Sequence, residues 1–351
     1  MSVPELALAD IDSPSTMLPL EATGRPAHPF VTIDLDCVDD RTCGNALRRF
    51  VGALDRPHLP LVGRATRPLS TSALVVADAA DLTLVQGGDE RQLPPSCIGV
   101  ADVHSGLSQL VSATAARTAT ASTLCQTLRL TADLTVASGL VAESMAYSML
   151  LASSEFYEWR EQTPRRVRPT AEVPVRLIRD GAGLEVRLDH PARRNAYSRE
   201  MRDGLVEALQ LVACDESITK VRLVGEGAVF CSGGDLDEFG TIEDVALAHL
   251  IRLRQGAGAA LEHVRERVTA ELHGPCFGAG VEIPAFAARV IAETSTTFRL
   301  PEVAMGLIPG AGGTVSIPRR IGRWRTAWLG LSGESVTADR ALGWGLVDEL
   351  V

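Results

Sequence analysis

Short strand-like runs alternate with helix-like segments along the second half of the 351-residue chain, and this alternation restricts the possible folds. Leu184–Leu188 alternates apolar and charged residues, which is typical of a half-buried strand. Ser198 can cap an amphipathic helix, and Glu243–Val264 has the pattern of another. Further strands are predicted at Val221–Val224, Val268–His273, Arg289–Ala292 and Phe298–Leu300. Such alternation predicts βαβ units and a largely parallel sheet.

Three segments rich in glycine and other small residues follow predicted strands: Val229–Asp237, His273–Glu282 and Leu300–Thr314. The last two also carry carboxylates, Glu282 and Glu302. In parallel sheets, binding sites collect outside the carboxyl ends of the strands, where all three segments are expected. Paired carboxylates can divide proton donation and water activation between them. Exposed backbone amides in small-residue turns can hold a developing oxyanion, so the three segments predict an enzyme active site.

The first half of the chain divides into three predicted parts. Residues 1–29 are rich in Pro, Ala and Asp without a sustained period, and we expect a flexible leader. Residues 30–161 are predicted to be α-rich: a few strands or brief helices come first, and longer helical patterns follow from about residue 103. Residues 162–174 contain three prolines and read as a linker to a domain at 175–351.

Composition excludes some classes of protein. A net charge of −10 and a pI of about 5.3 argue against nucleic-acid binding through bulk charge. The seven cysteines lack any C-x-x-C pair, which predicts free thiols in a reducing compartment and no metal site. No basic head precedes an apolar run at the start, and the most apolar stretch is interrupted by Glu143. We therefore expect a cytoplasmic protein that does not enter a membrane.

The second half resembles the crotonase (enoyl-CoA hydratase/isomerase) superfamily from about residue 184 to residue 351. The resemblance depends on five segments in the family's order: Pro191–Ser198, Phe230–Asp235, Gly278–Glu282, Pro301–Glu302 and Gly306–Thr314. It implies an α/β fold class, with a crotonase-like (ClpP/crotonase) ββα-repeat core at 175–351 after a mainly helical N-terminal region.

Two features differ from the family's usual pattern. The expected C-terminal helical tail is lacking after residue 351, and a long region precedes the domain. Glu143–Ser148, followed by Glu155 and Phe156, is loosely similar to the helical extension of the dihydroxyphenylacetyl-CoA dioxygenase branch. The N-terminal helices could therefore replace the missing tail.

The resemblance implies roles for individual residues. The backbone N–H groups of Gly234 and Ala279 would form the oxyanion hole for an acyl-CoA thioester. Glu282 would activate water, and Glu302 would exchange the proton at the α-carbon. Residues implied to bind substrate or CoA are Arg193, Arg194, Ala196, Gly233, Asp235, Leu236, Asp237 and Gly310. No cofactor is implied beyond the CoA of the substrate, and the protein is expected to be a homo-oligomer.

Both acids are present, which favours an enoyl-CoA hydratase. The alternatives are an enoyl-CoA isomerase, a cofactor-independent oxygenase of an aryl-acetyl-CoA, and a non-catalytic subunit that binds acyl-CoA. Cys231 and Cys276 are interpreted as small buried residues, and the Asp235 side chain as a structural support of its loop. Glu143 and Tyr147 could enter the site from the N-terminal region, but we interpret them as part of an ordinary helix surface.

Overall fold

A computed structural model describes residues 3–7, 19–41, 44–53, 59–88, 90–166 and 173–351. The strands are β1 Glu5–Leu6, β2 Val31–Asp34, β3 Leu61–Ala65, β4 Leu82–Gln86, β5 Cys97–Val100, β6 Val175–Asp180, β7 Gly183–Leu188, β8 Lys220–Gly225, β9 Val268–Leu272, β10 Pro275–Phe277, β11 Arg289–Ala292, β12 Thr297–Arg299, β13 Val336–Thr337 and β14 Glu349–Leu350. The helices are α1 Gly44–Ala53, α2 Thr71–Ala79, α3 Val103–Thr114, α4 Thr118–Ala132, α5 Val136–Leu151, α6 Ser154–Gln162, α7 Arg199–Cys214, α8 Val245–Arg254, α9 Ala257–Val264, α10 Ala279–Glu282, α11 Gly313–Ser332 and α12 Ala338–Trp344.

The C-terminal domain is built on a six-stranded sheet in the order β14-β11-β9-β8-β7-β6. All neighbours are parallel except β6 and β7, which form an antiparallel hairpin. A smaller sheet, β10-β12-β13, lies beside it. The predicted α/β class with a mostly parallel sheet is confirmed. Leu184, Val186 and Leu188 are buried, as the apolar alternation of β7 requires.

Local sequence signals explain where the helices of this domain begin and end. The Ser198 hydroxyl accepts a hydrogen bond from the Met201 amide at 3.2 Å and so caps α7, as predicted. The predicted helix Glu243–Val264 is two helices, α8 and α9, separated at Gly256. A side chain at Gly256 would lie 2.8 Å from the Arg252 carbonyl, so this break needs glycine. Helix α11 is likewise interrupted at Gly322, whose φ is +82°.

The N-terminal region is rich in helix, as predicted, and also contains a larger sheet than the sequence suggested. Strands β1 to β5 form a five-stranded sheet in sequence order, and every neighbouring pair is parallel. The prediction of a flexible leader over residues 1–29 is wrong for Glu5–Leu6, which pairs with Thr32–Ile33. A two-residue strand is too short to show a period, which is why sequence reasoning missed it.

One apolar core runs from the N-terminal helices into the C-terminal domain. It includes Leu124 and Leu128 of α4, Phe156 of α6 and Trp328 of α11. Helix α4 lies so close along α11 that a side chain at Gly330 would come within 2.6 Å of Leu124. A second cluster, built around α1, α2 and the N-terminal sheet, stays separate. The main core therefore contains residues from both sides of the predicted linker. Residues 167–172 of that linker lie outside the described residues.

Within the described ranges, no single helix is long and apolar enough to cross a membrane. Among the described helices, α5 and α6 taken together, bent by 64° at their junction, reach that length and composition.

Candidate active site

Six residues predicted for the site meet at one cavity of about 190 Å³. They are Gly234, Asp235, Ala279, Glu282, Glu302 and Gly310, and all line its wall. They come from the loops after β8, β10 and β12, so the chain carries them to the same end of the two C-terminal sheets. This is where an open parallel sheet is expected to bind ligands.

The loops that carry Gly234 and Ala279 pack backbone against backbone. The Phe277 amide donates to the Cys231 carbonyl at 3.2 Å. A side chain at Gly280 would come within 2.2 Å of that same carbonyl, and Gly233 has a φ of +96°, so both positions need glycine. The glycines of these motifs therefore serve to bring the two loops together.

Two backbone donors result from this arrangement. Ala279 is the first residue of α10, where an N–H has no partner inside the helix. In the part of the chain that the structure describes, neither this amide nor that of Gly234 has an acceptor. Both residues line the cavity, so their N–H groups are available to a ligand oxygen.

Glu282 lies on α10 and is almost fully buried. Its Oε2 accepts hydrogen bonds from the amides of Ala311 and Gly313, at 2.7 and 2.9 Å. Burial raises the pKa of Glu282 well above its usual value, and the charges of Glu302 and Glu143 raise it further, while the two amides lower it. Since one oxygen is held by two amides, the carboxyl has a fixed orientation at the cavity wall.

Glu302 lies in a short turn of 3₁₀ helix, Glu302–Met305, directly after Pro301. Its Oε2 is buried and has no hydrogen-bond partner within the described structure. Burial raises the pKa of Glu302 to about 8. Gly278, with a φ of +47°, leaves room for this carboxyl, because a side chain there would lie 2.4 Å from the Glu302 Oε1. The site thus pairs an acid whose Oε2 accepts from two amides with one whose Oε2 has no donor within the described structure.

A third carboxylate, Glu143, reaches the site from helix α5 of the N-terminal region. Its Oε1 accepts from the Gly312 amide at 2.8 Å, and its Oε2 accepts from the Thr314 amide and hydroxyl at 2.8 and 2.7 Å. Glu282 and Glu143 therefore bind alternate amides at the start of α11. Burial raises the pKa of Glu143 to about 7. The interpretation of Glu143 as helix surface is wrong.

Tyr147, one turn further along α5, is also buried and lines the cavity. Its ring packs against Gly310, where a side chain would come within 2.4 Å of the ring carbons. The surface interpretation is wrong for Tyr147 too. Glu143, Ser144, Tyr147 and Ser148 form a stripe on an otherwise apolar helix, and all four are buried. That polar stripe was the available sequence signal, because buried polar groups in proteins mostly have hydrogen-bond partners, as Glu143, Ser144 and Ser148 have here.

The sequence model of the enoyl-CoA hydratase/isomerase family matches residues 180–351. The C-terminal half of the chain belongs to this family. It is 35% identical over 167 residues to 2,3-dehydroadipyl-CoA hydratase of Escherichia coli, covering 48% of this chain and 65% of that protein. It is 35% identical over 175 residues to an enoyl-CoA isomerase/hydratase of Mycosarcoma maydis, covering 46% and 63%. The chain thus spans less than two thirds of either relative.

Among solved structures, an enoyl-CoA hydratase from Thermoplasma volcanium is 30% identical. The superposition has a TM-score of 0.48 and covers 51% of this chain and 72% of that one.

The loop after the family's first glycine motif is held in place by arginines. Arg193 pairs with both Asp235 and Asp237, at 2.6 and 3.3 Å, so its charge is balanced by two carboxylates. Asp235 also accepts a hydrogen bond from the Asp237 amide at 3.1 Å, which agrees with a structural role. From the N-terminal region, Arg160 donates to the Leu236 carbonyl at 2.6 Å. The N-terminal region therefore supports a loop whose residues Gly234 and Asp235 line the cavity.

The remaining residues predicted to bind CoA do not line this cavity. Gly233 supports the turn before Gly234, and Arg194 has left-handed backbone with a φ of 53° on the surface. Arg193, Arg194, Ala196, Leu236 and Asp237 lie outside the cavity wall. Their contact with CoA stays a prediction. Cys231 and Cys276 are buried, and burial raises the pKa of both thiols, so neither is an activated nucleophile.

Proposed function

We propose that this protein is an enoyl-CoA hydratase, which adds water across the α,β-double bond of an acyl-CoA thioester. The observation that carries the proposal is the grouping of two unpaired amides with two unlike carboxyls around one cavity. Gly234 and Ala279 supply the donors, and Glu282 and Glu302 supply the acids. Family membership supports the acyl-CoA class of substrate.

Each group has a task that follows from its surroundings. The thioester carbonyl oxygen accepts hydrogen bonds from the amides of Gly234 and Ala279, which stabilise the negative charge as it develops on that oxygen. Glu282 acts in its ionised form, which two amide donors stabilise against the opposing effect of burial, and takes a proton from water as the water oxygen bonds to the β-carbon. Glu302, whose buried oxygen has no donor, remains protonated near neutral pH and gives its proton to the α-carbon.

The sum of these steps adds one hydroxyl to the β-carbon and one hydrogen to the α-carbon. Glu282 ends protonated and Glu302 ionised, and proton exchange with solvent restores both. We propose that no cofactor takes part beyond the CoA of the substrate. A homo-oligomer in the cytoplasm remains our expectation for the whole protein.

The test is Glu282→Gln, assayed with a panel of trans-2-enoyl-CoA thioesters by mass spectrometry. We expect turnover to fall by about a hundredfold or more, as when a general acid–base is removed. Glu266→Gln is the matched control, because the Glu266 side chain is 84% exposed and lies away from the cavity. Unchanged turnover in Glu282→Gln would refute the assigned role. A double-bond shift or a gain of oxygen in the wild-type reaction would instead identify an isomerase or an oxygenase.

A further inference from the structure

An arginine without a carboxylate partner lines the cavity. Arg252 projects from α8, and the centre of its guanidinium lies 4.8 Å from the centroid of the Tyr147 ring. Tyr147 also packs against Gly310 of the cavity wall. Burial raises the pKa of Tyr147, and the charges of Glu282 and Glu302 raise it further. Arg252 and both acids therefore line the same cavity.

Neutral groups fix the guanidinium in place. Arg252 Nε donates to the Ser144 hydroxyl at 3.1 Å, and Nη2 donates to the Ser144 carbonyl at 3.3 Å and to the Ser148 hydroxyl. The Ser148 hydroxyl is in turn bound to the Val245 carbonyl at 3.0 Å. Both serines lie on α5, so two helices hold one arginine side chain in a single orientation.

The charge itself is not matched by a nearby anion. Over the described ranges, no carboxylate lies within ion-pair distance of Arg252, and its Nη1 has no hydrogen-bond acceptor. The carboxylate whose charge acts on Arg252 is Glu143, and its oxygens are already bound to the amides of Gly312 and Thr314. By contrast, Arg202, which also lines the cavity, pairs with Asp203 at 2.7 Å. Arg199, a third arginine of the wall, is exposed to solvent.

A second unused donor accompanies Arg252. The Tyr147 hydroxyl also has no hydrogen-bond partner in the described structure, although the ring is buried at the cavity wall. An oriented guanidinium and a phenol are the donors that carboxylates accept best in proteins. A purely hydrocarbon acyl chain would leave both of them desolvated and unpaired, which is unfavourable.

We propose that the cavity selects acyl groups that end in a carboxylate, so that the substrates are CoA monothioesters of unsaturated dicarboxylic acids. The distal carboxylate would accept hydrogen bonds from Arg252 Nη1 and from the Tyr147 hydroxyl. This inference depends on the proposed function for the position of the thioester, since the amides of Gly234 and Ala279 fix the other end of the acyl group.

Binding measurements test the proposal without any need for turnover. Calorimetric titrations of the whole protein would compare succinyl-, glutaryl- and adipoyl-CoA with butyryl-, pentanoyl- and hexanoyl-CoA, which match them in length. We expect at least one dicarboxylic thioester to bind about tenfold or more tightly than its methyl-ended partner, as for a charge-assisted hydrogen bond. Equal binding at every length would overturn the proposal.

Three variants separate recognition of the carboxylate from other effects. Arg252→Gln should abolish the preference, while Arg254→Gln, which changes an exposed arginine of the same helix, should retain it. Tyr147→Phe keeps the ring under the guanidinium and should reduce the preference about threefold. If Arg252→Gln weakens both series equally, Arg252 contacts CoA instead of the acyl end, and the proposal fails.

Turnover distinguishes this proposal from the hydratase proposal. A preference for dicarboxylic thioesters in binding, without hydration of their unsaturated forms, would support the recognition site and refute hydration. Hydration of methyl-ended thioesters with kcat/KM equal to that of the dicarboxylic series would support the reaction and refute the recognition site.

Discussion

Glu143→Gln removes a buried charge from the junction between α5 and the start of α11. Two effects oppose each other at this residue. Three hydrogen bonds from Gly312 and Thr314 favour the ionised carboxylate, whereas burial favours the neutral acid. The pKa of Glu143 is raised from 4.5 to about 7, so burial is the larger effect.

The size of the effect on stability follows from this pKa. A group with a higher pKa in the folded than in the unfolded protein contributes stability that is complete below the unfolded value and is lost as pH rises through the folded one. Here the window runs from 4.5 to about 7, a difference of about 2.5 pH units. At about 1.4 kcal/mol for each unit, the free energy of unfolding of the wild type falls by roughly 3 kcal/mol across that window. The Glu143→Gln variant avoids this fall, because glutamine does not titrate.

We therefore expect the free energy of unfolding of Glu143→Gln, relative to that of the wild type, to rise by about 3 kcal/mol between pH 4.5 and pH 8. This change does not depend on how the two proteins differ at low pH. Removal of this charge also lowers the pKa of Glu282 and of Glu302, which acts in the same direction. Urea unfolding, followed by circular dichroism, measures the difference in free energy of unfolding between the variant and the wild type at each of the two pH values. Glu161→Gln, at an exposed residue of α6, is the control and should show no pH-dependent change.

The reasoning is refuted if the difference between Glu143→Gln and wild type is the same at both pH values. A difference that becomes more unfavourable at pH 8 would show that the hydrogen bonds from Gly312 and Thr314 outweigh burial, with Glu143 ionised throughout.

Two further predictions concern packing. Gly310→Ala places a methyl group 2.4 Å from the Tyr147 ring, so we expect a loss of about 1–3 kcal/mol in urea unfolding and weaker acyl-CoA binding. Gly52→Ala, with no atom within 4 Å, is the control and should be neutral or stabilising; equal effects of the two changes would contradict the packing argument. A fragment of residues 175–351 should aggregate on expression, because its share of the common core would be exposed. A soluble fragment with cooperative unfolding would show that the C-terminal domain does not need the N-terminal helices.

Local patterns in the sequence were sufficient for much of the C-terminal domain. The strand at Gly183–Leu188 and the cap at Ser198 depend on neighbours within a few residues, so their signals lie together in the sequence. The glycine motifs are equally local, because a backbone contact such as that of Gly280 with Cys231 excludes any side chain.

Long-range contacts were the part that the sequence could not reveal. Glu143 binds amides 169 and 171 positions further along the chain, and nothing near residue 143 marks them as its partners. The N-terminal sheet was underestimated for a related reason. Its strands are short and several are buried on both faces, so they lack the alternation that marks a half-exposed strand.

The shared core also affects how the protein is made. Translation releases α4 before α11, the helix against which Leu124 packs, has been synthesised. Until residues 313–332 emerge from the ribosome, Leu124 has no partner from α11 and is accessible to chaperones and proteases. Docking of α4 onto α11 is therefore a late step, which begins only when α11 has left the ribosome.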